Sequence, residues 1–221
     1  MSTRPFQPAP ADPTALPSRV TVGDPSPTRQ KLLETAEALF DAEGFHAVGL
    51  DRILRVVGIT KQAFYRHFDS KEDLVAGVLH WHDRWWRDNC RQLLAQRAGP
   101  DAYRQLEEFI ELLVEVLEGD VFRGCFFINA VAQFPNRSDP IHRAALEAKD
   151  NIEAMVRDMA LRAGADDPAA FARELAMIFE GGFAVRHLRP PEDVVPVLRR
   201  MAATLFGQRL PQSPDRRAGA L

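Results

Sequence analysis

Only two cysteines, Cys90 and Cys125, occur in the chain, far too few for a disulfide scaffold. Without a CxxC spacing they suit a reducing compartment, where a free thiol behaves as a small buried hydrophobe. No uninterrupted apolar run approaches the roughly 20 residues needed to cross a bilayer, and the first residues lack the apolar stretch of a secretory signal. A soluble, cytoplasmic protein with no membrane partner is the expectation. Excess positive charge is also missing. Lys and Arg number 28 against 31 Asp and Glu, for a net charge of −3. Any nucleic-acid function must therefore come from a local patch. Strand-like alternation, a Ser-His-Asp-like arrangement, a phosphate-cradling glycine loop and a dinucleotide fingerprint are all absent. His80 and His82 lie two apart and do not share a helix face, so they are poor joint metal ligands. These absences point away from an enzyme and imply no cofactor and no metal.

What is present is helical periodicity between two proline-marked ends. Residues 1–27 hold seven of the sixteen prolines and read as a disordered tail, and residues 209–221 read as a flexible one. Between them lie about nine amphipathic patterns, so the fold class is all-α. The first is TRQKLLETAEALFDAEG, with Leu32, Ala36, Leu39 and Phe40 as its apolar stripe and Gly44 as its stop. LDRILRVV follows and ends at Gly58, and TKQAFYRHF is the third. Ser70 opens a long helix whose stripe is Leu74, Val78, Trp81 and Trp85, with Asp73 completing a capping-box-like pair. Beyond Gly99-Pro100 come DAYRQLEEFIELLVEVLEG and the nearly all-apolar RGCFFINAVAQF. Three further helices open near Pro140, Pro168 and Glu192, and the last has Val194, Leu198, Met201 and Leu205 as its stripe.

Two short helices joined at a glycine make a helix-turn-helix, whose second helix enters the major groove. Ile53, Val57, Phe64 and Phe68 can share a core with Leu39 and Phe40, while Ile59 plugs the turn. That leaves Thr60, Lys61, Gln62, Tyr65, Arg66 and His67 facing outward. Lys61 can reach a guanine edge or a phosphate, and Gln62 has the geometry for adenine. Thr60 suits a phosphate contact, and Tyr65, His67 and Lys71 can clamp the backbone. Residues 60–71 carry Lys61, Arg66 and Lys71 against Asp69 alone, a local excess of two positive charges.

The stretch from Thr28 to Leu74 resembles the DNA-binding domain of the TetR/AcrR family of transcriptional regulators. The matching residues are AEALFDAEGF, Ile53, GITKQAFYRHF and DSKEDL, which together span roughly a fifth of the chain. The chain departs from the family pattern at two places. Val48 and Gly49 stand where Ser or Thr usually precedes the second helix, and Gln62 stands where glycine is common. Both bear on which DNA sequence is read. The resemblance implies a helix-turn-helix domain over 28–73 and a ligand-binding and dimerisation domain over 74–208. It also implies a homodimeric repressor that binds a palindromic operator in double-stranded DNA and is released by a small, largely apolar molecule. The alternative is a regulator whose C-terminal domain only dimerises or docks a protein.

For the implied domain the residues must be argued individually. Segments 168–188 and 192–207 are the natural dimer pair, as a four-helix bundle. Gly181-Gly182 inside the first of them marks either a close helix approach or a kink. Cys125, Asn129 and Gln133 fall at i, i+4 and i+8 on one face, and a buried Asn must find a partner in a ligand or a neighbouring helix. With Trp81, Trp85, Phe109, Leu113 and Phe179 as apolar wall, they form the candidate effector set.

Overall fold

The computed structural model describes residues 26–211, and the tail readings for 1–25 and 212–221 lie outside the described residues. Among the described residues there are nine helices and no strand: α1 (Pro27–Glu43), α2 (Leu50–Val57), α3 (Lys61–Phe64), α4 (Lys71–Ala98), α5 (Ala102–Glu118), α6 (Phe126–Gln133), α7 (Pro140–Arg162), α8 (Pro168–Arg186) and α9 (Pro191–Arg209).

The helix starts follow local chemistry. Ser26 Oγ accepts from the Arg29 N–H, and Pro27 occupies a first-turn position where its missing N–H costs nothing. α1 therefore begins one residue inside the segment expected to be tail. Ser70 Oγ accepts from the Asp73 N–H at 3.0 Å, while the Asp73 carboxylate accepts from the Asp69 N–H at 3.0 Å. This is a capping box whose return bond lands one residue early. Asp101 and Asp167 cap α5 and α8. At the other end of the chain α9 runs to Arg209, which pairs with Glu174, and Leu210 is buried. Helix α9 thus runs one residue past the expected boundary at 208, where Arg209 is held by Glu174.

The described chain divides into two compact units, residues 26–89 with 123–150 and residues 90–122 with 151–211. In the first, Leu32, Ala36 and Phe40 of α1 are buried together with Leu33 and Phe45, while Leu39 is half-buried. The α4 stripe of Leu74, Val78, Trp81 and Trp85 is buried throughout. At Gly77 a Cβ would come within 3.0 Å of the Phe68 ring, so a glycine lets Phe68 lie against α4. The Arg29 guanidinium lies over the same ring, 4.6 Å from the Phe68 centroid.

In the second unit α8 packs on α9, and both pack on α5. The glycine pair of α8 divides in role. A Cβ at Gly182 would sit 2.5 Å from Leu198 Cδ1, whereas one at Gly181 meets nothing within 4 Å. Close approach, rather than a kink, accounts for Gly182. Gly182→Val is therefore expected to destabilise the protein by about 1–3 kcal/mol through overpacking against the buried Leu198, measured as a lowered urea midpoint. The α9 stripe needs one correction. Met201 is 49% exposed and Ala202 is buried in its place. The small Ala202 side chain is the one turned inward, and Met201 is left on the outer surface.

Candidate nucleic-acid interface

Helix α2 is preceded by Gly49, which offers no side-chain cap, and is closed by Gly58, whose φ of 80° requires the left-handed region. The Gly58 and Ile59 N–H groups both return to Leu54 O, at 2.8 and 3.1 Å, which closes the turn tightly. Thr60 then caps α3, its Oγ1 accepting from the Ala63 N–H at 3.2 Å. The third helix is shorter than the expected span of 60–68. Lys61–Phe64 is α-helical, and Tyr65–His67 continue as turns in which Phe64 O accepts from both His67 N–H and Phe68 N–H. This tighter winding brings Phe68 down beside Phe64, with ring centroids 5.8 Å apart, and both rings are buried.

Above those rings Thr60, Lys61, Gln62, Tyr65 and Arg66 are exposed and His67 is half-buried. Tyr65 retains 55% exposure, large for an aromatic residue. Lys61 Nζ lies 2.9 Å from Asp51 Oδ1, and this hydrogen bond and charge raise the ammonium above its ordinary value. The cation is therefore fully charged at any physiological pH. Lys71 is placed differently from the other cations. Its half-buried ammonium donates to Phe45 O at 2.7 Å, at the corner between α1 and α2. Two exposed arginines on α2, Arg52 and Arg55, were not singled out from sequence, although their i, i+3 spacing puts them on one polar face. Arg52 pairs with Glu43. Lys31 Nζ donates to Val57 O at 3.0 Å, a cation at the carbonyl end of α2.

The candidate effector residues fall in both compact units. Trp81, Trp85, Cys125, Asn129 and Gln133 lie in the first, and Phe109, Leu113 and Phe179 in the second. Within the second, Phe109 and Phe179 meet edge to face at 6.5 Å and Leu113 is half-buried. Within the first, Asn129 Nδ2 donates to Arg123 O at 2.8 Å, and Gln133 Oε1 accepts from the Phe45 and His46 N–H groups at 2.9 and 3.3 Å. Trp81 Nε1 is buried without a hydrogen-bond partner among the described residues. Cys125 is half-buried at the start of α6, whereas burial pushes the Cys90 thiol up to about 12, leaving it unreactive at neutral pH. Among the described residues no group of His, Cys, Asp and Glu could hold a metal ion, and no helix is long and apolar enough to cross a membrane.

Residues 32–78 match the family model described as bacterial regulatory proteins, tetR family. A TetR-family transcriptional regulator of known structure, SCO4454 from Streptomyces coelicolor, is 32% identical with a TM-score of 0.73. The match covers 82% of this chain and 95% of that one. The HTH-type transcriptional regulator YjdC of Escherichia coli (strain K12) is 24% identical over 156 residues, 69% of this chain and 80% of the relative. The HTH-type transcriptional activator FasR of Mycolicibacterium smegmatis is 34% identical over 92 residues, 42% of this chain and 41% of the relative.

Proposed function

Because the chain belongs to the TetR family of transcriptional regulators, we propose that it acts as a homodimeric repressor, reading a palindromic operator through Thr60, Lys61, Gln62, Tyr65, Arg66 and His67. The observation that carries this reading is the division within one short segment. Phe64 and Phe68 are buried, while the polar and cationic residues between and before them face outward. Gln62 supplies a bidentate base contact and Lys61 a charge for guanine or phosphate. Lys71 contributes by holding the corner behind the reading segment. The relatives are transcriptional regulators, not enzymes.

Dimerisation through α8 and α9 is supported by an outward apolar stripe. Met177, Val185 and Leu188 are 75%, 44% and 81% exposed, and Val197 and Met201 on α9 add 41% and 49%. Met177, Gly181, Val185 and Leu188 recur at helical spacing, a contiguous face that a monomer would leave wet. A second copy of this face would complete a four-helix bundle, and the two-fold symmetry of such a dimer matches a palindromic operator. Met177→Glu combined with Met201→Glu is expected to give a monomer by analytical ultracentrifugation and to weaken operator binding by at least tenfold. A variant that remains dimeric would remove α8 and α9 from the interface.

The effector is a small, largely apolar molecule with a hydrogen-bond acceptor. Trp81 Nε1, a buried donor lacking a partner, supports this. Such a donor costs about 1–3 kcal/mol unmet, which an acceptor would recover. Helix α4 begins at Lys71, directly after the reading segment, so an effector that favours one pose of α4 shifts the population of binding-competent heads. The second reading, a C-terminal domain that only dimerises or docks a protein, has no effector. Selection of genomic fragments bound by the purified protein tests the DNA reading, and genes beside the recovered sites supply candidate compounds. The effector proposal is abandoned if saturating amounts of these change neither operator affinity nor thermal midpoint. Repression, as opposed to activation, is read from a reporter placed behind the selected operator.

A further inference from the structure

The corner between α1 and α2, residues 44–49, has no regular structure of its own to satisfy its backbone. Gly44 turns the chain with φ 86°, and a Cβ there would come within 3.3 Å of Gln133 Oε1. The next residue, Phe45, is held through both of its backbone groups. The Phe45 N–H donates to Gln133 Oε1 at 2.9 Å, and Phe45 O accepts from Lys71 Nζ at 2.7 Å. His46 adds a second N–H to Gln133 Oε1 at 3.3 Å, and its Nε2 lies 2.8 Å from Gln133 O. The His46 ring lies 4.6 Å from the Phe134 ring, and Phe45 is buried against Phe126 at 5.1 Å. Arg123, just before α6, reaches Ala42 O at 3.2 Å and Asp41 at 3.4 Å. Asn129 Nδ2 in turn holds Arg123 O at 2.8 Å. The last turn of α1 and the corner after it are thus gripped by the two ends of α6.

We infer that Gln133 is a positioning residue for DNA reading: from the end of α6 it fixes the corner out of which α2 departs, and so sets the angle at which the helix-turn-helix leaves α1. The inference rests on the DNA-reading function of the α2–α3 segment. Gln133 acts through the backbone of Phe45 and His46 and touches no nucleic acid. A carboxylate at position 133 would still accept from both N–H groups, whereas a thioether of similar length would release both and leave the Phe45 N–H unmet in a part-buried place. Two donors released at a turn, the part-buried Phe45 N–H and the exposed His46 N–H, allow the chain several corner conformations, of which one fits the groove.

The test uses the full-length protein and the DNA fragment that wild type selects. Gln133→Met is expected to bind it about tenfold more weakly. The salt dependence of binding should stay unchanged, because no phosphate contact is lost. Hydrogen exchange at the Phe45 and His46 amides should accelerate. Gln133→Glu should restore protection and affinity to within about twofold of wild type. If Gln133→Met binds as tightly as wild type, or if Met and Glu weaken binding in step with an equal fall in thermal midpoint, the positioning role is wrong. A reduced salt slope in Gln133→Met would make Gln133 a DNA contact and overturn it as well. If wild type selects no DNA, the reading of the α2–α3 segment fails and this inference fails with it. The exchange data then still report separately whether the corner was held.

Discussion

Lys61→Ala is expected to weaken operator binding by about tenfold or more and to reduce the slope of log affinity against log salt by about one. Lys61 opens α3 on the exposed side of the reading segment, with a side chain 61% exposed. Substitution there removes a full charge without opening a cavity, so the thermal midpoint should barely move. Gln62→Ala should behave differently. It should cost about 1–3 kcal/mol of discrimination at one base pair while leaving the salt slope intact. Tyr65→Ala should weaken all sequences, as loss of a backbone clamp would. Asp51 gives the internal control. It holds Lys61 at 2.9 Å and is itself exposed. Asp51→Asn should raise affinity for unrelated DNA more than for the operator, since it releases the cation and removes a negative charge facing phosphate. Competition binding at several salt concentrations reads all four variants. Equal loss for every substitution, or none, would remove the α3 segment from the interface.

Single replacement of Glu37 or His82 is expected to destabilise the protein by about 3–5 kcal/mol, and the double replacement by clearly less than the sum. Glu37 interrupts the apolar face of α1 yet is only 4% exposed, and His82 on α4 is 6% exposed. Their side chains meet at 2.5 Å, Nδ1 to Oε1, with the imidazole centred 4.9 Å from Phe126, 5.3 Å from Phe127 and 5.9 Å from Trp85. A polar pair in such a place is costly to break and cheaper to exchange for matched hydrophobes. Glu37→Leu and His82→Phe should each lower the urea midpoint sharply. The Glu37→Leu/His82→Phe protein should recover part of the loss, because phenylalanine suits the surrounding rings. Glu37→Gln, which keeps an acceptor for the imidazole, should be the mildest of the single variants. Single losses within about 0.5 kcal/mol, the range of surface substitutions, would mean that the pair is not buried in solution.

The reading segment shows how far local sequence carries. GITKQAFYRHF places Gly58 where the chain must turn left-handed, a capping Thr60 before α3, and Phe64 and Phe68 at the spacing that buries both. Each of these depends on residues within a turn or two. The same holds for the stripe Leu74, Val78, Trp81 and Trp85, for the caps at Asp101 and Asp167, and for all nine helical spans to within a few residues. Length was harder at α3, where the pattern over 60–68 resembles helix throughout. The downward pull of Phe68 into the core winds the second half into turns, and that depends on what lies beneath it.

Other assignments needed neighbours distant in sequence. Glu37 and His82 are 45 residues apart, and nothing near either one announces the other. Gln133 stands on one face with Cys125 and Asn129, as periodicity predicts. Its amide oxygen is nevertheless directed at backbone 88 residues earlier in the chain. Lys71 counts among the cations of the reading segment, yet its ammonium donates to Phe45 O. Met201 has the spacing of a core residue and lies outside, while Gly182 finds its reason in Leu198. Sequence by itself determined the helices, the helix-turn-helix and the family, because caps, turns and apolar periodicity act over a few residues. Only the tertiary structure decided which polar side chains are spent on holding the fold, because a hydrogen bond is specified by where its partner arrives and not by the spacing of the residue that makes it.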